Sequence, residues 1–149
     1  MPQGVSAEYA GVLDGSVLPA AKADGALLGA KLRIYQATFN LALAAVAKVN
    51  GDTNVCFRLP KGCKPVLGFL NSSATMGAVS TIAVGNATTA GKYRAAAVHT
   101  TANAPQFFML SSADDDAALT DYEDVIITIA AADLPAAGIL RVVILASAR

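Results

Sequence analysis

His99, Cys56 and Cys63 are the residues of this chain whose side chains most often take part in catalysis or metal binding. His99 is the sole histidine, so a serine or cysteine nucleophile would have one possible imidazole base. The surrounding Val98-His99-Thr100-Thr101 contains no nucleophile elbow of the type Gly-x-Ser-x-Gly, and the chain has no Gly-x-x-x-x-Gly-Lys phosphate loop. We therefore expect His99 to be a structural or surface residue and the protein not to be an enzyme.

The two cysteines do not form a metal-binding pattern. They are not a Cys-x-x-Cys pair, and one histidine cannot complete a four-ligand zinc site with them, so we predict no metal and no cofactor. If Pro60 and Lys61 centre a hairpin turn, residue 58 faces residue 63 and residue 56 faces residue 65. The two sulfurs would then be out of register, and we expect both thiols to be reduced and dispensable.

An acidic run, Ser111-Ser112-Ala113-Asp114-Asp115-Asp116, could supply carboxylates to a hard cation. It lacks the alternating Asp-x-Asp-x-Asp-Gly spacing that aims separate oxygens at one calcium ion. Three consecutive carboxylates cannot all point the same way. The run therefore predicts a solvated loop.

Eleven basic and eleven acidic residues cancel, which argues against a nucleic-acid partner because phosphate neutralisation needs clustered Lys and Arg. The charges are nevertheless unevenly distributed. Residues 1–110 carry nine basic and four acidic residues, a net charge of +5, and residues 111–149 carry two basic and seven acidic residues, a net charge of −5. This asymmetry fits an ordinary solvated surface, or head-to-tail attraction between subunits or to a charged shell.

The length of 149 residues predicts one main folded domain. The sequence shows neither a strongly apolar stretch of membrane-spanning length nor the pattern of a signal peptide, so we expect a soluble protein made in the cytoplasm, without a membrane partner. Alanine accounts for 32 residues and supplies little burial energy per residue. We therefore expect a core that is thin or shared between subunits.

From residue 31 the sequence pattern is typical of short strands separated by turns. Lys31 to Gln36 alternates in polarity and places Leu32, Ile34 and Gln36 on one face. Asn40 to Val49 is compatible with a helical turn or with alternation, and Asn50-Gly51-Asp52 predicts a turn. The remaining predicted strands are 53–59, 63–72, 79–85, 93–99, 105–110, 124–131 and 138–147.

The segment Val55 to Leu67 predicts a β-hairpin, because two strand-like runs flank Pro60-Lys61-Gly62. Most intervals between strands are too short for the helices of a parallel α/β fold. We therefore predict an all-β fold, a jelly-roll-like antiparallel β-sandwich of about eight strands over residues 31–149. The phenylalanines are expected to fill the core or a subunit interface: Phe57, Phe69, Phe107 and Phe108.

Residues 1–30 predict an extended N-terminal arm. Gly11, Gly15 and Pro19 interrupt any long helix, yet the segment is too apolar for a typical disordered tail. It should therefore dock on its own domain or on a neighbour. The candidate capsid or subunit contacts within it are Tyr9, Val12, Leu13, Val17 and Leu18.

Three segments resemble small structural proteins of tailed bacteriophages that serve as capsid decoration or cement proteins. They are Asn54 to Ser73 around Leu59-Pro60-Lys61-Gly62, Ser80 to Ala97 (STIAVGNATTAGKYRAAA), and Ala132 to Ala146 (AADLPAAGILRVVILA). The similarity spans roughly residues 29–148, with a looser likeness in the arm. Its motifs mark turns and strands, and the family offers no catalytic residues to carry over.

The resemblance implies a protein on the capsid surface of a virion that clamps neighbouring capsomers. Its partners would be the major capsid protein and copies of itself, most simply in a homotrimer. Two alternatives remain open at this point. One is a head-fibre base or tail component, and the other is a carbohydrate-binding β-sandwich, which the absence of Trp disfavours.

Overall fold

The computed structural model describes residues 31–109 and 117–148, and these residues form eight β-strands. The predicted arm over residues 1–30 and the whole acidic run over residues 111–116 lie outside the described residues. No helix occurs in the described part of the chain; in the ambiguous segment Asn40 to Val49, Asn40 ends a strand and the following residues form turns and bends. The strands are β1 (Lys31–Asn40), β2 (Thr53–Leu59), β3 (Lys64–Ser72), β4 (Thr81–Gly85), β5 (Arg94–Val98), β6 (Gln106–Phe108), β7 (Glu123–Ala130) and β8 (Ile139–Ala148).

The strands form two four-stranded sheets in which every pairing is antiparallel. The first sheet has the order β1-β8-β3-β6, and the second has the order β2-β7-β4-β5. Consecutive strands therefore alternate between sheets along much of the chain, which is the connectivity of a jelly roll. The predicted all-β, eight-stranded sandwich is confirmed.

Alternate residues of the central strands point between the sheets and form the core. In β7 these are Val125, Ile127 and Ile129, and in β8 they include Leu140 and Ile144, all at most 1% exposed. The core is thus built mainly from Leu, Ile and Val, and three alanines are buried among the described residues: Ala37, Ala83 and Ala146. Most described alanines are not buried, so alanine contributes little to this core. Whether the core is shared between subunits, as expected, stays a prediction.

The predicted hairpin between β2 and β3 is wrong in its pairing. The chain does turn at Gly62, which has a φ of 79°, but β2 pairs with β7 while β3 pairs with β8 and β6. Arg58 consequently faces Asp124 and not residue 63. Each strand has a bulge beside the turn, at Val55/Phe57 and at Pro65/Leu67. Bulges bend strands, so this turn carries the chain from one sheet to the other.

Two other predicted turns are present. Gly51 has a φ of 95°, and the Asp52 amide donates to the Val49 carbonyl at 2.9 Å. After β4, the side-chain oxygen of Asn86 accepts hydrogen bonds from the Thr88 and Thr89 amides at 3.0 and 2.7 Å. Such side-chain mimicry of a backbone turn is the reason that Asn favours reversals.

Candidate interaction surface

His99 lies immediately after β5 and is fully buried. Neither ring nitrogen has a hydrogen-bond partner among the described residues. Burial is the main cause that lowers its pKa; the neighbouring Gln106 side chain opposes this shift and the Arg94 cation reinforces it. A buried imidazole whose pKa is lowered fits the structural role expected for His99.

Arg94 occupies the space between the sheets beside His99. It is 8% exposed, and its guanidinium donates to the backbone carbonyls of Ile82, Ala97 and Val98 and to the Gln106 side chain. Burial lowers its pKa. The guanidinium N–H groups are thus hydrogen-bonded within the protein, so Arg94 is not available to an external ligand.

Both cysteines are free thiols. Burial raises the pKa of the Cys56 thiol to about 12 and also raises the pKa of Cys63. The thiolate is the reactive form, so neither residue is poised as a nucleophile or metal ligand. Within residues 31–109 and 117–148, no group of three or more His, Cys, Asp or Glu side chains could hold a metal ion.

The uneven charge distribution along the sequence is partly neutralised within the second sheet. Arg58 makes a two-pronged ion pair with Asp124, its cross-strand partner, at 2.6 and 2.8 Å. Lys92 Nζ lies 2.5 Å from Glu123 Oε2, which also accepts from Asn86 Nδ2 at 2.8 Å, and Tyr93 donates to the other oxygen. Burial acts to raise the pKa of Glu123, but these hydrogen bonds outweigh it and lower the pKa.

The first sheet presents an apolar surface on its outer side. The register places Ile34 beside Leu145 and Leu145 beside Leu67, and in the next row Val143 lies beside Phe69 and Phe69 beside Phe107. The alternate positions of the same strands face the core, so these six residues face outward. We call them the outer apolar band: Ile34, Leu67, Phe69, Phe107, Val143 and Leu145.

The ends of the outer apolar band are open to solvent. Ile34 in β1 is 69% exposed and Phe107 in β6 is 57% exposed, and Leu32 extends the band along β1 at 58%. The Phe69 and Phe107 rings meet edge to face with centroids 6.0 Å apart. The centre of the band is covered, because Val143 is 3% exposed and Leu67, Phe69 and Leu145 are half-buried. Exposed apolar residues such as those at its two ends are typical of surfaces that bind another protein.

The first sheet also carries basic residues. The four strands of the first sheet contain Lys31, Arg33, Lys64 and Arg141 and no acidic residue. Lys31, Arg33 and Arg141 are exposed. In the second sheet, by contrast, the acidic residues of β7 are paired with Arg58 and Lys92. Alternation places Arg141 on the same face as the outer apolar band, whereas Lys31 and Arg33 lie on the opposite face of β1 from Ile34.

The sequence pattern identified part of this surface. It placed Leu32, Ile34 and Gln36 on one face of β1, which the register confirms, but it did not show that this face points away from the core. The phenylalanines were expected to fill the core or a subunit interface. Phe108 is buried and Phe57 packs on the core, whereas Phe107 is exposed, which leaves an interface role for it as a prediction. The sequence of β8 did contain a signal that both faces of this strand carry apolar residues. Val142 to Leu145 is continuously apolar, as in strands that are covered on both faces.

The predicted contact residues Tyr9, Val12, Leu13, Val17 and Leu18 lie outside the described residues, so their role stays a prediction. In the described part of the chain, no helix is long and apolar enough to cross a membrane.

Comparison with known proteins found no matching family model and no matching curated protein. Solved structures do match. A chain of the cyanophage Pam1 capsid asymmetric unit has a TM-score of 0.64 and 19% sequence identity, with all of both chains covered. A chain of the acidic stable capsid of Helicobacter pylori bacteriophage KHP30 has a TM-score of 0.57 and 15% identity, over 78% of this chain and 86% of that chain.

A chain of the capsid of Ralstonia phage GP4 also matches, with a TM-score of 0.57 and 18% identity, over 78% of this chain and 85% of that chain. At these identities the likeness is one of fold. The protein thus shares its jelly-roll architecture with chains found in the capsid structures of three phages.

Proposed function

We propose that this protein is a structural component of a tailed-phage virion that binds the outside of the capsid and clamps neighbouring capsomers. The observation that carries the proposal is the pair of exposed apolar ends of the outer apolar band, Ile34 and Phe107, on a fold shared with chains found in phage capsid structures. The residues suited to catalysis, His99, Cys56 and Cys63, are occupied in packing and have pKa shifts that disfavour their reactive forms. A non-enzymatic role is the simplest account both of the outer apolar band and of these side chains.

The partners in this proposal are the major capsid protein and further copies of the chain, most simply in a trimer on the particle surface. The N-terminal segment supplies Tyr9, Val12, Leu13, Val17 and Leu18 as apolar contacts. Several weak contacts from one oligomer raise the effective concentration of each later contact, so attachment can be firm although every single contact is weak. No cofactor and no nucleic acid are needed.

Binding to capsids that lack the protein tests this function. Purified protein is added at increasing concentration, the capsids are sedimented, and cryo-electron microscopy of the particles locates the added density. We expect saturable binding and density on the outer surface across capsomer boundaries. Binding to tails or fibre bases without binding to capsids would favour the head-fibre or tail alternative.

Deletion of residues 2–28 tests the contribution of the N-terminal segment. The deletion should preserve the β-rich circular dichroism spectrum, because the sandwich begins at Lys31. It should weaken capsid binding by at least about tenfold, which corresponds to about 1.4 kcal/mol. Val55→Ala is a matched control, since Val55 is exposed on the second sheet and should leave binding unchanged. Equal binding by the deleted and full-length proteins would remove the segment from the attachment surface.

The oligomeric state is measured by light scattering at micromolar concentration. We expect a mass near three times that of the 15.1 kDa chain. A strict monomer both in solution and on the particle would exclude the trimer while leaving capsid binding to be judged separately.

A further inference from the structure

We propose that Arg141, Asn71 and Ser73 form a pocket that binds an aspartate or glutamate side chain of the capsid protein. The pocket lies at the polar end of the outer face of the first sheet and has a volume of about 170 Å³. Its lining residues are Asn71, Ser72, Ser73, Asn103, Ile139 and Arg141. The inference rests on the proposed function for the identity of the partner, and it can fail while capsid attachment holds.

Arg141 supplies the positive charge of this pocket. It is exposed, it makes no ion pair with a described residue, and none of the lining residues is acidic. The acidic side chains of the described residues all accept hydrogen bonds elsewhere in the fold: Asp52, Asp121, Glu123, Asp124 and Asp133. The same is true of these residues in a second copy of the chain. We therefore expect the anion that pairs with Arg141 to come from another protein.

The remaining hydrogen-bonding groups of the pocket suit an acceptor. Asn71 Oδ1 accepts from the Ser72 amide at 2.9 Å, so the NH₂ group of Asn71 remains as a donor. Ser73 Oγ accepts from the Ile139 amide at 2.9 Å, so its hydroxyl proton remains to be donated. A carboxylate accepts hydrogen bonds and donates none, and it is thus the complement of this lining.

The backbone fixes the positions of these donors. Arg141 in β8 lies opposite Asn71 in β3, and directly opposite side chains of a sheet have Cβ atoms about 5 Å apart. The loop between β5 and β6 is tied to the same wall, because the Asn103 amide donates to the Ser72 carbonyl at 2.7 Å. A pocket whose walls are already in place binds at a lower entropic cost.

Size and charge favour a single carboxylate as the ligand. Sites that enclose a small molecule usually have volumes of about 300–1,000 Å³, so this pocket is large enough only for one side chain or a small ion. A phosphate group carries nearly two negative charges, whereas Arg141 is the single cation of the lining. A guanidinium can hold one carboxylate through two parallel hydrogen bonds. An exposed ion pair of this kind binds a free acid weakly, so further protein contacts must hold the acid in place.

The surroundings of the pocket can supply such contacts. Alternation places Ile139 and Phe107 on the same face of the first sheet as Arg141, and they are 43% and 57% exposed. Arginine and aromatic side chains are enriched among the residues that dominate binding between proteins. The carboxylate would thus enter the pocket while neighbouring apolar groups of the capsid protein cover Ile139 and Phe107.

Binding to capsids that lack the protein tests the pocket with matched variants. Arg141→Gln removes the charge and should weaken binding about tenfold. Asn71→Asp retains an oxygen for the Ser72 amide but replaces the NH₂ donor by a carboxylate, and it should weaken binding to a similar extent. Arg33→Gln is the control, because Arg33 is an exposed arginine on the opposite face of the same sheet and its replacement should change binding less than about twofold.

The outcomes separate this inference from the proposed function. Equal binding by the unsubstituted protein, Arg141→Gln and Asn71→Asp would overturn the inference and leave the proposed function standing. Absence of capsid binding by the unsubstituted protein would contradict the proposed function. A lower oligomer mass of Arg141→Gln in light scattering would assign the carboxylate to a second copy and overturn the inference.

A titration followed by NMR examines the pocket without capsids. The probe is the tripeptide acetyl-Gly-Glu-Gly-amide, added at millimolar concentration to the isotopically labelled full chain, and the uncharged control is acetyl-Gly-Gln-Gly-amide. The Glu peptide should shift the side-chain amide signals of Asn71 and the backbone amide signal of Ser73 more than the Gln peptide, and Arg141→Gln should abolish the difference. Equal shifts with both peptides would overturn the inference. Larger shifts with inorganic phosphate at equal ionic strength would overturn it in favour of a free anion.

Acidic residues of this chain outside the described range are the other source of a carboxylate. Two variants test them in the same titration, one with Asp114→Asn, Asp115→Asn and Asp116→Asn and one that lacks residues 2–28. Larger shifts at Asn71 in either variant would show that an internal carboxylate competes with the peptide, and would overturn the inference. Unchanged shifts in both variants, with loss of the response in Arg141→Gln, would support a carboxylate from the partner.

Discussion

Arg94 in β5 donates a hydrogen bond of 2.7 Å to the side-chain oxygen of Gln106 in β6, and so joins the edge strands of the two sheets. At the opposite side of the sandwich the rings of Tyr35 in β1 and Phe57 in β2 lie 5.9 Å apart. Each open side of the sandwich thus has a contact between the two sheets, polar on one side and aromatic on the other.

Replacement of Arg94 should therefore be costly. In Arg94→Lys the shorter, single-headed cation cannot reach the backbone carbonyls and Gln106 together, and it leaves buried acceptors unpaired. We expect the free energy of unfolding to fall by about 2–3 kcal/mol in urea titrations. Arg58→Lys is the matched control, since the Arg58–Asp124 pair is exposed and should contribute little. Equal effects of the two substitutions would contradict this assignment.

His99 should make stability depend on pH near neutrality. Its folded pKa lies below its ordinary value of 6.5, so the unfolded chain binds the proton more readily than the folded chain. Stability is therefore complete above pH 6.5 and decreases as pH falls toward the folded pKa, by at most about 1.4 kcal/mol per pH unit. His99→Leu should abolish this decrease in urea unfolding at pH 7.5, 6.5 and 5.5. Glu123 affects stability in a separate, more acidic pH range, because its folded pKa is lowered from 4.5.

Cys56 and Cys63 should react slowly in the native protein. With the pKa of Cys56 raised from 9.0 to about 12, its thiolate fraction at pH 8 falls about a thousandfold. A thiol-specific disulfide reagent should accordingly modify the native chain at least about 100-fold more slowly than the urea-unfolded chain. Replacing both cysteines by Ala should preserve the fold and cost about 1–2 kcal/mol for the cavity. A disulfide in freshly isolated protein, with failed folding of the double variant, would contradict both expectations.

Gly85, at the end of β4, should not tolerate a side chain. A Cβ atom there would lie 2.1 Å from the Thr89 carbonyl oxygen and 2.4 Å from that of Ala90, both in backbone that Asn86 holds in a turn. Gly85→Ala should lower the free energy of unfolding by about 1–3 kcal/mol. Gly91 belongs to the same turn, and its Cβ would meet its nearest neighbour at 3.3 Å. Gly91→Ala should therefore cost less than half as much in the same denaturation experiment.

Much of the secondary structure follows from the sequence by itself, because alternation and turn chemistry are local. Eight strands were predicted within a few residues of their observed bounds, and the turn at Gly51 was recognised from Asn50-Gly51-Asp52. The absence of intervening helical patterns was enough to predict an antiparallel sandwich. The thiols of Cys56 and Cys63 were expected to be free, and they are.

The tertiary structure alone decided which strands pair and which faces are covered. The local signals at Pro60-Lys61-Gly62 are the same whether the chain returns to its own sheet or crosses to the other, and the choice depends on β7 and β8, far along the chain. Likewise, the alternation in β1 separates Ile34 from Tyr35 without saying which one is inside. That depends on Ile144 and Leu145 of the neighbouring strand, and it left Ile34 exposed at one end of the outer apolar band.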